Sequence, residues 1–235
     1  MRFPRPLVRG VLLRRYKRFL ADIRLMDGRE TTAHCANPGS MLGLAEPGME
    51  VWLLPHADLK RKLAWSWELV RVGDHLVGIN TAHPNGLAAT AIAAGHIPPL
   101  AGYVTCRREQ RYGKASRIDL LLEAPGRTIC YVEVKNVHLR RGDDAEFPDS
   151  VTARGAKHLA ELAAMKAAGH RAVMLYVVQR ADCREFRIAA DIDPVYDLAF
   201  RDAQAAGVEM LCYYCAVNLD AIEIAGPVAI ATGAG

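Results

Sequence analysis

Hydrophobic and polar positions follow two different rhythms along this chain. Up to about residue 84, apolar residues come in short runs, at 8–13, 18–25, 50–54, 65–72 and 75–79. Between them lie Asp27-Gly28, Pro38-Gly39, Pro47-Gly48 and Gly73-Asp74. Short runs punctuated by Gly, Pro and Asp read as strands joined by tight turns. Five such strands within residues 1–84 predict a small closed barrel. The OB-fold is the common barrel of this size that binds nucleic acid.

From residue 85 the rhythm lengthens. Residues 85–96 read as a short Ala-rich helix that ends before Pro98-Pro99. Three strands follow, at 102–112, 116–123 and 128–137. The stripe Leu159, Leu162, Ala163 and Met165 marks a helix over 150–168, with Ser150 as its cap and Gly169 as its stop. An apolar strand at 171–179, a helix at 194–206 ending at Gly207, and a strand at 208–214 complete the pattern. This order predicts an α/β sandwich around a mixed central sheet. The fold class is therefore α+β in two domains, with residues 1–84 an OB-fold-like barrel and residues 85–235 the α/β unit. The Gly- and Ala-rich residues 225–235 predict a loose tail.

Charge sharpens this division. The chain has 235 residues and a net charge of +4, but the first 18 residues carry seven Lys and Arg and no acid. Such a start points to a polyanionic partner, nucleic acid more readily than a membrane. Its longest apolar run there, Val11-Leu12-Leu13, is too short for an export signal. Residues 75–106 lack any Asp, Glu, Lys or Arg, yet Pro84, Pro98 and Pro99 break any membrane span. The six cysteines are scattered, and Cys212-x-x-Cys215 has no second pair to complete a zinc site. The expectation is a cytoplasmic protein with reduced thiols.

The candidate chemistry lies on two of the strands. In Ser116-Arg117-Ile118-Asp119-Leu120-Leu121-Leu122-Glu123, Asp119 alternates with the apolar Ile118, Leu120 and Leu122. In Tyr131-Val132-Glu133-Val134-Lys135-Asn136-Val137, Glu133 and Lys135 share one face and the valines the other. Two acids and a lysine on neighbouring strands suit metal-assisted phosphodiester chemistry. The carboxylates would hold Mg²⁺ or Mn²⁺ with the Val134 carbonyl, and the lysine would offset charge on phosphate. A solvated strand face with a cross-strand ion pair would leave the same pattern. Further candidates for phosphate contact are Arg14, Arg15, Lys17 and Arg18 in the basic start, Arg108 on the strand at 102–112, and Arg154 and Lys157 beside His158 on the helix at 150–168. Nothing in the sequence calls for an organic cofactor.

Asp on the second strand and Glu-x-Lys on the third resemble the PD-(D/E)xK nuclease-like fold. Longer motifs carry the resemblance further: Phe3-Pro4-x-Pro6-Leu7, Asn37-x-Gly39-Ser40-Met41, Phe147-Pro148-Asp149, Arg154-Gly155-x-Lys157-His158-Leu159 and Gly169-His170-Arg171-Ala172-Val173. With them the chain resembles the sugar fermentation stimulation protein A family over nearly its whole length. The resemblance implies an OB-fold joined to a PD-(D/E)xK domain, DNA binding, and a regulatory role in sugar (maltose) metabolism. The alternative it leaves open is a Mg²⁺-dependent nuclease. Single- and double-stranded DNA are both admitted as partners, and so is a homodimer. Two departures stand out: Thr90 occupies the position of a helical glutamate usual in the family, and Ala156 replaces a glutamine. Fewer carboxylates should weaken metal affinity.

Overall fold

The computed structural model describes residues 1–58, 60–112 and 116–231. In the first part, β1 (Val8–Tyr16), β2 (Leu20–Leu25), β3 (Glu30–Cys35), β4 (Glu50–Pro55) and β5 (Trp65–Val72) run in the order β3-β2-β1-β4-β5. β3 pairs in parallel with β5 through His34↔Ser66 and Cys35↔Trp67, and this pairing closes the ring. Closure leaves no barrel edge to template a foreign strand. Leu12, Ile23, Leu53, Trp67 and Val70 fill the interior.

The barrel matches the expectation, but its strands are not the five read from the pattern. Glu30–Cys35 was missed because Glu-Thr-Thr-Ala-His-Cys sends only Ala33 and Cys35 fully into the core. The run at 75–79 is β6 (His75–Gly78), a hairpin arm on β5 outside the ring. Trp67 is buried, with its indole N–H bonded to the Leu69 carbonyl at 2.9 Å, so it is a core residue.

The second part contains α1 (Pro84–Ala93), β7 (Thr105–Tyr112), β8 (Ser116–Glu123), β9 (Cys130–Val137), β10 (Leu139–Arg141), β11 (Asp144–Phe147) and α2 (Ala153–Ala167). These are followed by β12 (Arg171–Val178), β13 (Glu185–Ile188), α3 (Pro194–Ala205), β14 (Glu209–Val217), β15 (Ile222–Pro227) and β16 (Ala229–Ile230). The central sheet runs β15-β14-β12-β9-β8-β7 and is mixed, with β9, β12 and β14 parallel and the outer pairings antiparallel. Leu87, Ala88, Ala91 and Ile92 of α1 pack on one face together with Trp52 and Leu69 of the barrel. Leu159 and Leu162 of α2, and Tyr196 and Phe200 of α3, cover the other.

Three expectations are corrected here. The long helix begins at Ala153, where the Thr152 hydroxyl accepts the Gly155 N–H at 3.1 Å, so Thr152 and not Ser150 is the cap. Residues 225–231 are not a loose tail, since β15 completes the main sheet and β16 pairs with β13; residues 232–235 of that expectation lie outside the described residues. The small sheet β10-β11-β13-β16 had no counterpart in the sequence reading, because its strands have two to four residues and show no period.

A polar seam joins the two parts. Gln179 donates to the Asn80 carbonyl at 3.0 Å and to Asn136 Oδ1 at 2.6 Å, while its own carbonyl accepts the Gly78 N–H at 2.8 Å. On the other side of the seam, the Asp149 carboxylate accepts the Met41 N–H at 3.2 Å. Gly39 must be glycine there, because a Cβ would stand 2.5 Å from Asp149 Oδ2.

Candidate metal centre

Asp119 sits where its strand loses both neighbours' regular pairing. The β8–β9 ladder runs from Leu122↔Cys130 to Leu120↔Val132 and stops there. On the other side, Glu109 of β7 adopts φ 54°, in the left-handed region, between Arg108↔Leu120 and Gln110↔Ile118. Leu120 and Leu122 pack with α1, whereas Ile118 packs with α2 and α3, so the apolar alternation changes face at Asp119. Into this fork the Asp119 carboxylate accepts the Val134 N–H at 2.8 Å and the Asn85 side-chain amide at 2.7 Å.

Glu133 is 2% exposed and looks toward α2. Its Oε1 accepts from Lys135 Nζ at 2.8 Å and lies against His158 Nδ1. Arg154 donates to His158 Nε2 at 3.2 Å, which assigns the ring proton to Nδ1, facing Glu133. The Glu133 Oε2 atom is buried and has no hydrogen-bond partner. A buried carboxylate oxygen without a donor is costly unless something else satisfies it.

The two acids are driven apart electrostatically. Burial opposes the Glu133 charge, but the His158 hydrogen bond and the Lys135 ammonium outweigh it and hold this carboxyl below the ordinary glutamate value. Asp119 is pushed upward by burial and then by the Glu133 carboxylate, against the Val134 N–H, Lys135 and Asn85. Mutual repulsion of this kind is what a divalent cation relieves. Oxygen donors suit a hard cation, so the residues present fit one. Among the described residues no group of three or more His, Cys, Asp or Glu converges as a metal cage. The ligands from this chain would be the two carboxylates and main-chain carbonyl oxygen, with water completing the shell.

The remaining candidates fall in separate places. Arg14 is tied to Asp22 at 2.8 Å. Arg15 donates to the Asn37 and Gly39 carbonyls at 2.8 and 2.9 Å, so it holds the seam loop. Lys17 and Arg18 are exposed in a turn, at φ 47° and 63°. Arg108 is exposed beside Glu109. Lys157 lies 3.6 Å from Glu161, and Arg154 reaches the site through His158. Thr90 is exposed, and Asn85, in the first turn of α1, is the helix residue that meets Asp119. Asn85 and Glu109, 3.4 Å apart, were missed. No strand pattern marks them, since the fold alone brings their elements together. Cys212 and Cys215 pack on opposite faces of the central sheet.

Residues 13–79 match the SfsA N-terminal OB domain, and residues 82–221 match the sugar fermentation stimulation protein RE domain. The sugar fermentation stimulation protein homolog of Paramagnetospirillum magneticum is 63% identical over 97% of this chain and 96% of its own. That of Rhodospirillum centenum is also 63% identical, over 95% and 97%. The structure of Pyrococcus furiosus SfsA in complex with Ca²⁺ superposes with a TM-score of 0.87 at 26% identity, covering 99% of this chain and 100% of the other. Among the described residues no helix is long and apolar enough to cross a membrane.

Proposed function

From the premise that the chain belongs to the sugar fermentation stimulation protein family, we propose that it is a cytoplasmic DNA-binding protein whose nuclease-like domain holds Mg²⁺ or Mn²⁺ at Asp119 and Glu133. The domains divide at residues 84 and 85. The regulatory role in sugar (maltose) metabolism implied by the family resemblance goes with this reading. One observation carries the metal site: Glu133 Oε2 is buried without a donor next to a second carboxylate. A relative of the same fold, Pyrococcus furiosus SfsA, was solved with Ca²⁺, which takes the same hard oxygen ligands.

Asp119, Glu133 and the Val134 carbonyl would hold the cation, and no organic cofactor is required. When bound, such an ion supplies Lewis-acid polarisation of a phosphate oxygen. Lys135, anchored on Glu133, presents an ammonium to phosphate charge, and Arg154 keeps His158 against the same carboxylate. Lys17, Arg18, Arg108 and Lys157 serve as phosphate contacts, with Arg14 and Arg15 shaping the basic surface from their paired positions.

The second reading, a Mg²⁺-dependent nuclease, is favoured by Lys135 lying 2.8 Å from Glu133, which leaves the Asp, Glu and Lys set assembled. The deciding experiment incubates labelled single- and double-stranded DNA with the protein in Mg²⁺ or Mn²⁺, wild type beside Glu133→Gln. Binding without cleavage supports the first reading. Cleavage lost in Glu133→Gln establishes the second. Absence of binding to either DNA overturns both.

A further inference from the structure

A carboxylate lies buried where the barrel meets the second part of the chain. Glu68 of β5 is 2% exposed, and its neighbour Trp67 fills the barrel interior, so Glu68 points outward toward α1. Its Oε2 lies 2.7 Å from His83 Nε2, and the Asn80 side-chain amide donates to Oε2 at 3.0 Å and to Oε1 at 3.2 Å. A carboxylate only accepts, which assigns the His83 ring proton to Nε2. The Asn80 side-chain carbonyl in turn accepts the Ala82 N–H at 3.0 Å. The connection from barrel to helix is therefore tied to Glu68 through two residues. Burying a charge is costly, and apolar side chains of the same volume would hold such a boundary at least as firmly. What this group adds is a defined placement of the residues it binds.

Those residues open α1. His83 is the N-cap, but its side chain makes no capping bond, and the first turn carries no acid. The ring goes to the barrel instead, and Glu68 supplies from another element the negative charge that a helix N-terminus favours. Successive helical residues are turned by about 100°, so His83 and Asn85 project to nearly opposite sides of this turn. On the far side, Asn85 donates to Asp119 Oδ1 at 2.7 Å and lies 3.4 Å from Glu109. The Leu87 N–H bonds the His83 carbonyl at 3.0 Å, which makes the turn continuous with the helix, and Leu87 and Ala88 pack into the core behind it. One turn of helix is thus gripped by a barrel carboxylate on one side and by a candidate metal ligand on the other.

We infer that Glu68 and His83 are positioning residues for the metal centre: the barrel fixes the first turn of α1 through them, and that turn fixes the Asp119 carboxylate through Asn85. The inference rests on the metal-site reading and deepens it, because it names residues of the barrel on which cation affinity depends. Neither residue touches the cation. A ligating carboxylate depends on hydrogen bonds behind it for its orientation, and Asn85 is the side-chain donor that Asp119 has. Asn85 can serve only while its turn stays in place. Coupling between two sites is reciprocal, so a cation held at Asp119 is felt at the Glu68–His83 bond as well.

The test is titration calorimetry of the full chain with Mn²⁺, with thermal melting to show that each variant is folded. Asn85→Ala should weaken Mn²⁺ binding roughly tenfold to hundredfold, the range for loss of an outer partner of a ligand. His83→Ala should weaken it roughly twofold to thirtyfold, and His83→Gln, which returns a side-chain N–H to Glu68, should restore part of the loss. In the double variant, His83→Ala should add nothing to Asn85→Ala, because both act along one path. Wild-type affinity in His83→Ala, or losses that add in the double variant, overturns the inference and leaves the metal site intact. A second measurement changes nothing at His83: its ring ¹⁵N resonances should shift on saturation with Mg²⁺ in wild type and not in Asn85→Ala. Resonances unmoved in wild type overturn the inference too. Failure of wild type to bind Mn²⁺ overturns the metal reading with it.

Discussion

Asp119 accepts the main-chain N–H of Val134 at 2.8 Å just beyond the point where the two strands that carry them stop pairing. The carboxylate takes the place of a ladder carbonyl, so the same side chain closes the fork and lines the candidate metal centre. Glu133, the residue before Val134, then faces α2 with one oxygen satisfied and the other bare.

Cation uptake should depend on both acids. Titration calorimetry with Mn²⁺ is expected to show binding by wild type and none by the Asp119→Asn, Glu133→Gln double variant. Equal heats from the two proteins would place the ion elsewhere. Asp119→Asn alone should raise stability in urea denaturation of the metal-free protein at pH 7, because burial and the Glu133 carboxylate oppose the Asp119 charge in the folded state.

Lys135 separates binding from catalysis. Its ammonium is largely buried and donates to Glu133. If the protein cleaves DNA, Lys135→Ala should lower the rate by roughly 10² to 10³, the cost of one charge-stabilising donor, with DNA affinity little changed. Cleavage at the wild-type rate in Lys135→Ala would assign the activity to a contaminant.

Lys17 and Arg18 should behave differently from Arg15 in salt titrations. Removing Lys17 and Arg18 together is expected to flatten the slope of log K against log salt on duplex DNA by up to about 2. Arg15→Ala should instead lower stability by about 1 to 3 kcal/mol, because the Asn37 and Gly39 carbonyls lose their donor. A flattened slope with unchanged stability in Arg15→Ala would show that Arg15 contacts phosphate directly.

The seam should weaken in acid. Burial raises the Asp149 carboxyl, but His138 and the Met41 N–H outweigh that effect and bring it down to about 2. A folded value below the unfolded value of about 3.9 means the contribution is complete at neutral pH. It is lost as pH falls from about 5 toward 2. Asp149→Asn should therefore cost about 2 kcal/mol at pH 7, with the gap to wild type narrowing steadily below pH 5. Urea denaturation across that range checks it; a gap independent of pH would mean that the charge of Asp149 contributes nothing.

The sequence by itself determined the two-part architecture and the central triplet. Strand periodicity is strictly local, so Glu133 and Lys135 had to share a face and Asp119 had to interrupt an apolar run. Turn residues and the Gly169 and Gly207 stops marked most element ends for the same local reason. What tertiary structure alone decided is everything that depends on partners distant in the chain. Glu30–Cys35 becomes a strand because β2 and β5 flank it, and β16 forms because β13 lies beside it. Likewise the Asp119 fork exists because Asn85 reaches it from 34 residues away, and Glu133 keeps its charge because His158 arrives from 25. These contacts satisfy buried polar groups across the chain, and no local pattern records which distant residue will supply the donor.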